Sequence, residues 1–169
     1  MLATAVAGEL ATDPTSSWYR SLRKPPWQPP PRAFGLVWTP LYADIAVTSA
    51  RALDAFEAAG RQGERRAHRG ALAANLVLNA GWNAVFFRVH RPWLAAAECA
   101  VLTVSAADLV RRTAAVDRPA AVALAPYPAW CAFATALTVG IARRNRRVLK
   151  SGAPTSVAPG GGRREGSPE

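Results

Sequence analysis

The chain has 169 residues, of which half are hydrophobic and 19% charged, and its 21 Lys and Arg outnumber 11 Asp and Glu to give a net charge of +10. That length excludes a large multidomain enzyme and leaves one domain or one small helical bundle. The apolar half contains 37 Ala and only 2 Ile, so composition alone admits two classes: a basic soluble helical protein facing nucleic acid or another polyanion, or a short polytopic membrane protein with basic loops.

The first residues, MLATAVAGELATDP, are apolar for eight positions, lack a basic leader and break at Glu9. They read as the stub of a helix and not as a signal peptide. From Asp13 to Arg32 the chain carries Pro14, Pro25, Pro26, Pro29, Pro30 and Pro31, which favours an extended or turn-rich loop. A first candidate span over 33–53 is interrupted by Asp44 and Arg51. The stretch ALDAFEAAGRQGERRAHRG, with three glycines and mixed charges, reads as a solvated connector. A second span over 70–88 contains 18 residues free of charge and histidine, from Gly70 to Phe87. A third over 93–110 carries Glu98 and Asp108, and a fourth over 119–142 has 24 residues without charge. The two uninterrupted stretches approach or exceed the roughly 20 residues that a helix needs to cross a bilayer core of about 30 Å. Residues 148–169 form a basic, Gly- and Pro-rich tail expected to be disordered.

The segment from 143 to 169 holds +5 of the +10, so much of the basic character belongs to the flank of an apolar stretch. With four spans, thirteen basic residues fall on the side of the C-terminus and eight on the other, which favours a cytoplasmic C-terminus. No Cys/His cluster has metal spacing: His68 and His90 stand apart, and Cys99 and Cys131 lie in apolar runs as buried structural thiols do. No P-loop or hydrolytic motif is present. Asp44 and Glu98, acidic groups within spans, are expected to face the bundle interior or a partner. Ala95, Ala96, Ala97, Ala100, Ala106 and Ala107 permit close helix approach, within the chain or in a homodimer.

The strongest feature is WYRSLRKPPWQPPPRAFGLVWTPLY, residues 18–42, with three Trp and two Tyr around a proline-rich basic loop. Taken by itself it suits either an interfacial aromatic belt or a lid over a pocket for a flat aromatic ligand, held ready by proline at reduced entropic cost. Two further blocks are NAGWNAVFF, with Asn79, Trp82, Phe86 and Phe87, and PYPAWCAFATAL, with Pro126, Tyr127, Trp130, Phe133, Ala134, Thr135 and Leu137, followed by Asn145. In this order the three blocks resemble the TspO/MBR family of tryptophan-rich sensory and translocator proteins, over roughly residues 9–147. Thr138 stands where that family usually has Asn, and ALTVGIARR lacks the Tyr of the sterol-recognition pattern of animal relatives.

The resemblance implies an all-α, polytopic five-helix membrane bundle whose first helix is truncated here to a remnant over 1–17, a start codon chosen too late being the expected cause, with the family's domain over 18–147. It implies a cell-membrane protein, bacterial by expectation, with no nucleic-acid partner and no required cofactor, that binds a porphyrin or haem-type tetrapyrrole for sensing or transport. The positions it assigns to the ligand are Trp18, Tyr19, Trp38, Asn79, Cys99, Trp130 and Ala134, with Arg23, Lys24 or Arg32 as a cationic rim. If the protein is instead an enzyme that degrades protoporphyrin in light, Trp38 and Trp130 are the residues expected to carry the radical chemistry.

Overall fold

The computed structural model describes residues 17–146, within which the side chains of Pro31, Asn83 and Phe87 are not considered. The expected first-helix remnant over residues 1–16 and the tail from 147 lie outside the described residues. The described chain contains helices α1 (Ser17–Ser21), α2 (Pro31–Ala58), α3 (Gln62–Phe87), α4 (Pro92–Ala114), α5 (Arg118–Leu124) and α6 (Pro126–Arg144).

Proline sets several of the boundaries. Pro31, Pro92 and Pro126 open α2, α4 and α6, where a fixed φ is pre-organised for a helix and the missing N–H has no intrahelical acceptor to lose. α5 is capped by Asp117, whose side chain accepts a hydrogen bond from the Ala120 N–H at 2.9 Å. Only Ala125, itself helical in backbone angles, separates α5 from α6, and Pro126 and Pro128 withhold the N–H groups that Val122 and Leu124 carbonyls would otherwise receive. The result is one interrupted 27-residue rod, Arg118–Arg144, which with α4 is long and apolar enough to cross a membrane.

The connector over 52–70 departs from the solvated loop expected from its charges. α2 continues to Ala58 and α3 resumes at Gln62, with the reversal confined to a turn in which Gly60 has φ +66°. The charges support helix because they pair locally: Arg61 bonds Glu64, and Arg65 reaches Glu57 across the turn at 3.0 Å. Arg61 also donates to the Ala115 carbonyl at 2.9 Å, tying this turn to the end of α4.

α4 packs most extensively against α6 and α3, while α2 lies against α3 and α5. One core cluster joins Leu41, Ile45, Leu102, Leu109, Leu124, Tyr127 and Cys131, and a second joins Tyr19, Leu22, Phe86, Ala95, Leu137 and Ile141. The second seats the segment before α2 across the end of the bundle. Asn145 fastens it there: its carbonyl oxygen accepts from the Arg23 N–H and its amide donates to the Arg23 carbonyl, both at 3.0 Å. Pro25 and Trp27 rest on Gly140, where an added Cβ would lie 3.1 Å from Pro25 Cγ, so a side chain there would require Pro25 to give by a few tenths of an ångström. Trp18 completes the seat by packing on His90, with ring centroids 4.3 Å apart, at the α3–α4 turn.

The Asp117 carboxyl is held below its ordinary value of 3.8, first by the Ala120 N–H and then by Arg51, which pairs with it at 2.9 Å. A depressed folded value means that this stabilisation is fully present above about pH 4 and is lost as pH falls through the folded value. Asp117→Asn is therefore expected to lower the thermal transition at pH 7, with wild type and variant converging near pH 3. A constant gap between their transition temperatures across that range would contradict the assignment.

Candidate functional site

Pairs of residues at helical spacing bring four helices to one small space. Phe34 and Trp38 come from α2, Asn79 and Trp82 from α3, Cys99 and Leu102 from α4, and Trp130 with Cys131 and Ala134 from α6. Spacings of three and four residues put each pair on one helix face. The lining closes to a cavity of about 20 Å³, close to what a single water molecule requires.

Of the seven ligand positions expected from sequence, Trp38, Asn79, Cys99, Trp130 and Ala134 meet at this cavity. Trp18 and Tyr19 do not line it. They sit on α1 against Phe86, at centroid distances of 5.6 and 6.2 Å, and Phe86 stacks on the cavity residue Trp82 at 5.5 Å. A second line of rings descends from the lid through Trp27 and Phe133 to Trp130 and Phe34. The lid thus communicates with the cavity through aromatic contacts. Phe34, Trp82, Leu102 and Cys131 are cavity residues missing from the sequence-based set. Phe34 and Trp82 belong to the quoted motifs, while Leu102 and Cys131 carry only the weaker signal of lying three residues after Cys99 and one after Trp130.

A buried hydrogen-bond chain holds the walls together. The Tyr42 hydroxyl donates to the Asn79 carbonyl oxygen at 2.6 Å, and the Asn79 amide donates to the Tyr127 hydroxyl at 3.4 Å. Tyr127 in turn donates to Asn75 at 2.7 Å, and the Asn75 amide donates to Ser105 at 3.1 Å. The chain crosses α2, α3, α6 and α4. Asn75 and Tyr127 are fully buried and Asn79 nearly so, an arrangement that is costly unless the polar atoms are satisfied. Trp38 stacks on Tyr42 at 5.3 Å and meets Tyr127 edge-on at 6.3 Å, so the same tyrosines fix an indole of the cavity. A second seam joins α4 to α6 through Thr103 and Thr135, 3.2 Å apart, and through the Cys99 thiol facing the Cys131 carbonyl at 3.6 Å.

Two chemical features belong to residues of the cavity lining. Trp130 has a buried indole N–H with no acceptor among the described residues, and Asn79 brings an amide to an otherwise aromatic and aliphatic lining. No group of three or more metal-ligating side chains occurs among the described residues. The rim residues differ in position: Arg23 and Arg32 are exposed, whereas Lys24 is half-buried with its ammonium 3.9 Å from the centroid of the Tyr19 ring. Burial holds Lys24 below the ordinary lysine value and raises Tyr19 above the ordinary phenol value. Thr138 bonds the Ala134 carbonyl within α6 at 2.8 Å, so it spends its hydroxyl inside its own helix and not between helices.

Replacing Tyr127 by Phe deletes the donor to Asn75 and the acceptor for Asn79. The expected loss of stability is about 1–2 kcal/mol, the range for buried interhelical bonds of this kind, measured as a shift of the unfolding transition in detergent. An unchanged transition would mean that the hydrogen-bond chain does not hold the four helices.

Comparison with known proteins agrees with this architecture. Residues 1–144 match the TspO/MBR family. The chain is 32% identical over 145 residues to the tryptophan-rich protein TspO of Chlorobaculum tepidum, covering 85% of this chain and 90% of that one. It is 34% identical over 128 residues to the tryptophan-rich sensory protein of Cereibacter sphaeroides, with 76% and 77% covered, and 33% identical over 135 residues to the translocator protein of Bos taurus, with 80% and 78% covered. The chain belongs to the TspO/MBR family and is an integral membrane protein built as a helical bundle.

Proposed function

We propose that the protein binds a tetrapyrrole of the porphyrin or haem type in the cavity between α2, α3, α4 and α6, and that occupancy serves sensing or transport. The observation that carries this reading is the lining itself: three Trp and one Phe converge from three helices around one amide, with Ala134 leaving room and a buried indole N–H on Trp130 in need of an acceptor. A planar apolar macrocycle with acidic edges suits such walls, and Arg23, Lys24 and Arg32 lie at the lid end where propionates would emerge.

The cavity is far smaller than such a ligand, so binding requires the aromatic rings to turn aside and the lid to lift. The lid is secured by the Asn145 bonds and by the Gly140 contact, which are local enough to open without unfolding α6. This coupling between lid and cavity gives the protein a way to report occupancy. The excess of basic residues on its side supports a cytoplasmic C-terminus, and the bacterial relatives support a bacterial cell membrane. The outward-facing Ala97, Ala100 and Ala107 offer a smooth face on α4 for a homodimer.

Light-dependent degradation of the bound pigment is a second reading, supported by the convergence of Trp38 and Trp130 on the same cavity. Titration of the purified protein with protoporphyrin IX, followed by tryptophan quenching in darkness, tests binding. Trp38→Ala and Ala134→Leu are each expected to weaken affinity at least tenfold, and equal affinities would remove the cavity assignment. Illumination separates the two readings: pigment that survives light leaves binding alone, whereas loss abolished by Trp38→Phe selects catalysis.

A further inference from the structure

Outside the bundle interior, a groove of about 380 Å³ runs between α2 and the α5–α6 rod, lined by Leu36, Val37, Pro40, Leu41, Asp44, Ala123 and Pro126. It shares no lining residue with the central cavity. Its size falls within the range of small-molecule sites, about 300–1,000 Å³. Every lining side chain is apolar except Asp44, whose Oδ2 is buried without a hydrogen-bond partner among the described residues. Of the two expectations for Asp44, the bundle interior or a partner, the first does not hold: it lines this outer groove.

The position of that carboxyl is what makes the groove informative. Asp44 lies at the centre of the 28-residue helix α2, about 20 Å of helix rise from either end. In a spanning helix this is the depth at which an ionisable group is most costly and calls for a partner. Among the described residues no cation pairs with Asp44. The cations of α2 stand toward its ends, Arg32 in the first turn and Arg51 already engaged by Asp117. A buried carboxyl without a hydrogen-bond partner, set among Leu, Val and Pro near the middle of α2, fits one chemistry: an apolar body carrying a basic nitrogen.

We propose that this groove is a binding site for lipid-soluble amines, with Asp44 as their counter-ion. Wherever the shared proton sits, on the amine or on the carboxyl, the pair carries no net charge, so its formation leaves no isolated ion within the bilayer. Entry is lateral from the lipid, because the groove opens on the outer face of α2, where Leu36 is 75% exposed. The site is independent of the tetrapyrrole reading.

The test uses the full chain in lipid nanodiscs and a matched pair of probes, 1-naphthylmethylamine and 1-naphthylmethanol, which differ in the amine and hydroxyl alone. Binding is read by equilibrium dialysis after subtraction of empty nanodiscs. The amine is expected to bind saturably, at least tenfold more tightly to wild type than to Asp44→Asn, and the alcohol is expected to show no dependence on Asp44. Ala123→Phe, which fills the groove and keeps the carboxyl, is expected to weaken the amine by a similar factor, and it carries the test if Asp44→Asn does not fold. Thermal transitions of the variants establish folding without reference to porphyrin. Absence of saturable amine binding, equal affinity for wild type and Asp44→Asn, or an alcohol with the same dependence on Asp44 would overturn the proposal. The last of these results would instead assign the groove to a hydroxyl-bearing lipid.

Discussion

Two asparagines in the charge-free run of α3, Asn75 and Asn79, impose the constraint on which the rest of the bundle depends. Their amides are buried among apolar helices, where each unmet donor or acceptor would be costly. Two tyrosines and a serine from three other helices meet that demand, and Tyr127 serves both asparagines at once. This single chain orients α2, α4 and α6 around α3. It decides which faces meet, and so which side chains become the walls of the cavity. Apolar packing alone tolerates many rotations of alanine-rich helices, because small side chains leave few distinctive knobs. The polar chain removes that freedom.

The cavity and the lid follow from this arrangement. Trp38 is held by Tyr42 and Tyr127, and Trp130 is flanked by Phe34 and Phe133, so the indoles that face the cavity are positioned by neighbours and not by the cavity itself. The lid is positioned separately, by an amide at the end of α6 that bonds both backbone groups of Arg23 and by a glycine that lets Pro25 and Trp27 approach. A four-helix wall beneath a locally fastened lid is the physical basis on which the proposed site would open for a large flat ligand. It places the movable part at one end and leaves the hydrogen-bond chain intact.

Much of this was legible in the sequence, for reasons that differ by element. The two segments long and apolar enough to cross a membrane, α4 and the α5–α6 rod, follow from apolar length, and the aromatic and proline motifs carried the family and five of the residues that meet at the cavity. The connector after α2 was less legible, because charged residues that look like a solvated loop pair across one turn and extend both helices instead. Trp18 and Tyr19, which the resemblance assigns to the ligand from the lid, lie on α1 and connect to the cavity residue Trp82 through Phe86. Asn75 and Ser105 gave little signal alone, since one amide or hydroxyl in an apolar run has many possible partners. The outward aspect of Asp44 was hidden for a related reason: an acidic residue in a span demands a partner, but periodicity does not reveal whether the chain provides it.

The central claim is that the hydrogen-bonded bundle presents its aromatic walls to a planar macrocycle. An experimental structure of the protein in lipid with protoporphyrin IX tests it most directly. The account predicts the macrocycle between α2 and α6, in contact with Trp38, Trp130 and Ala134, with the lid displaced and the Tyr42–Asn79 and Tyr127–Asn75 bonds retained. A macrocycle bound only on the outer surface, with the inner cavity still closed, would contradict it.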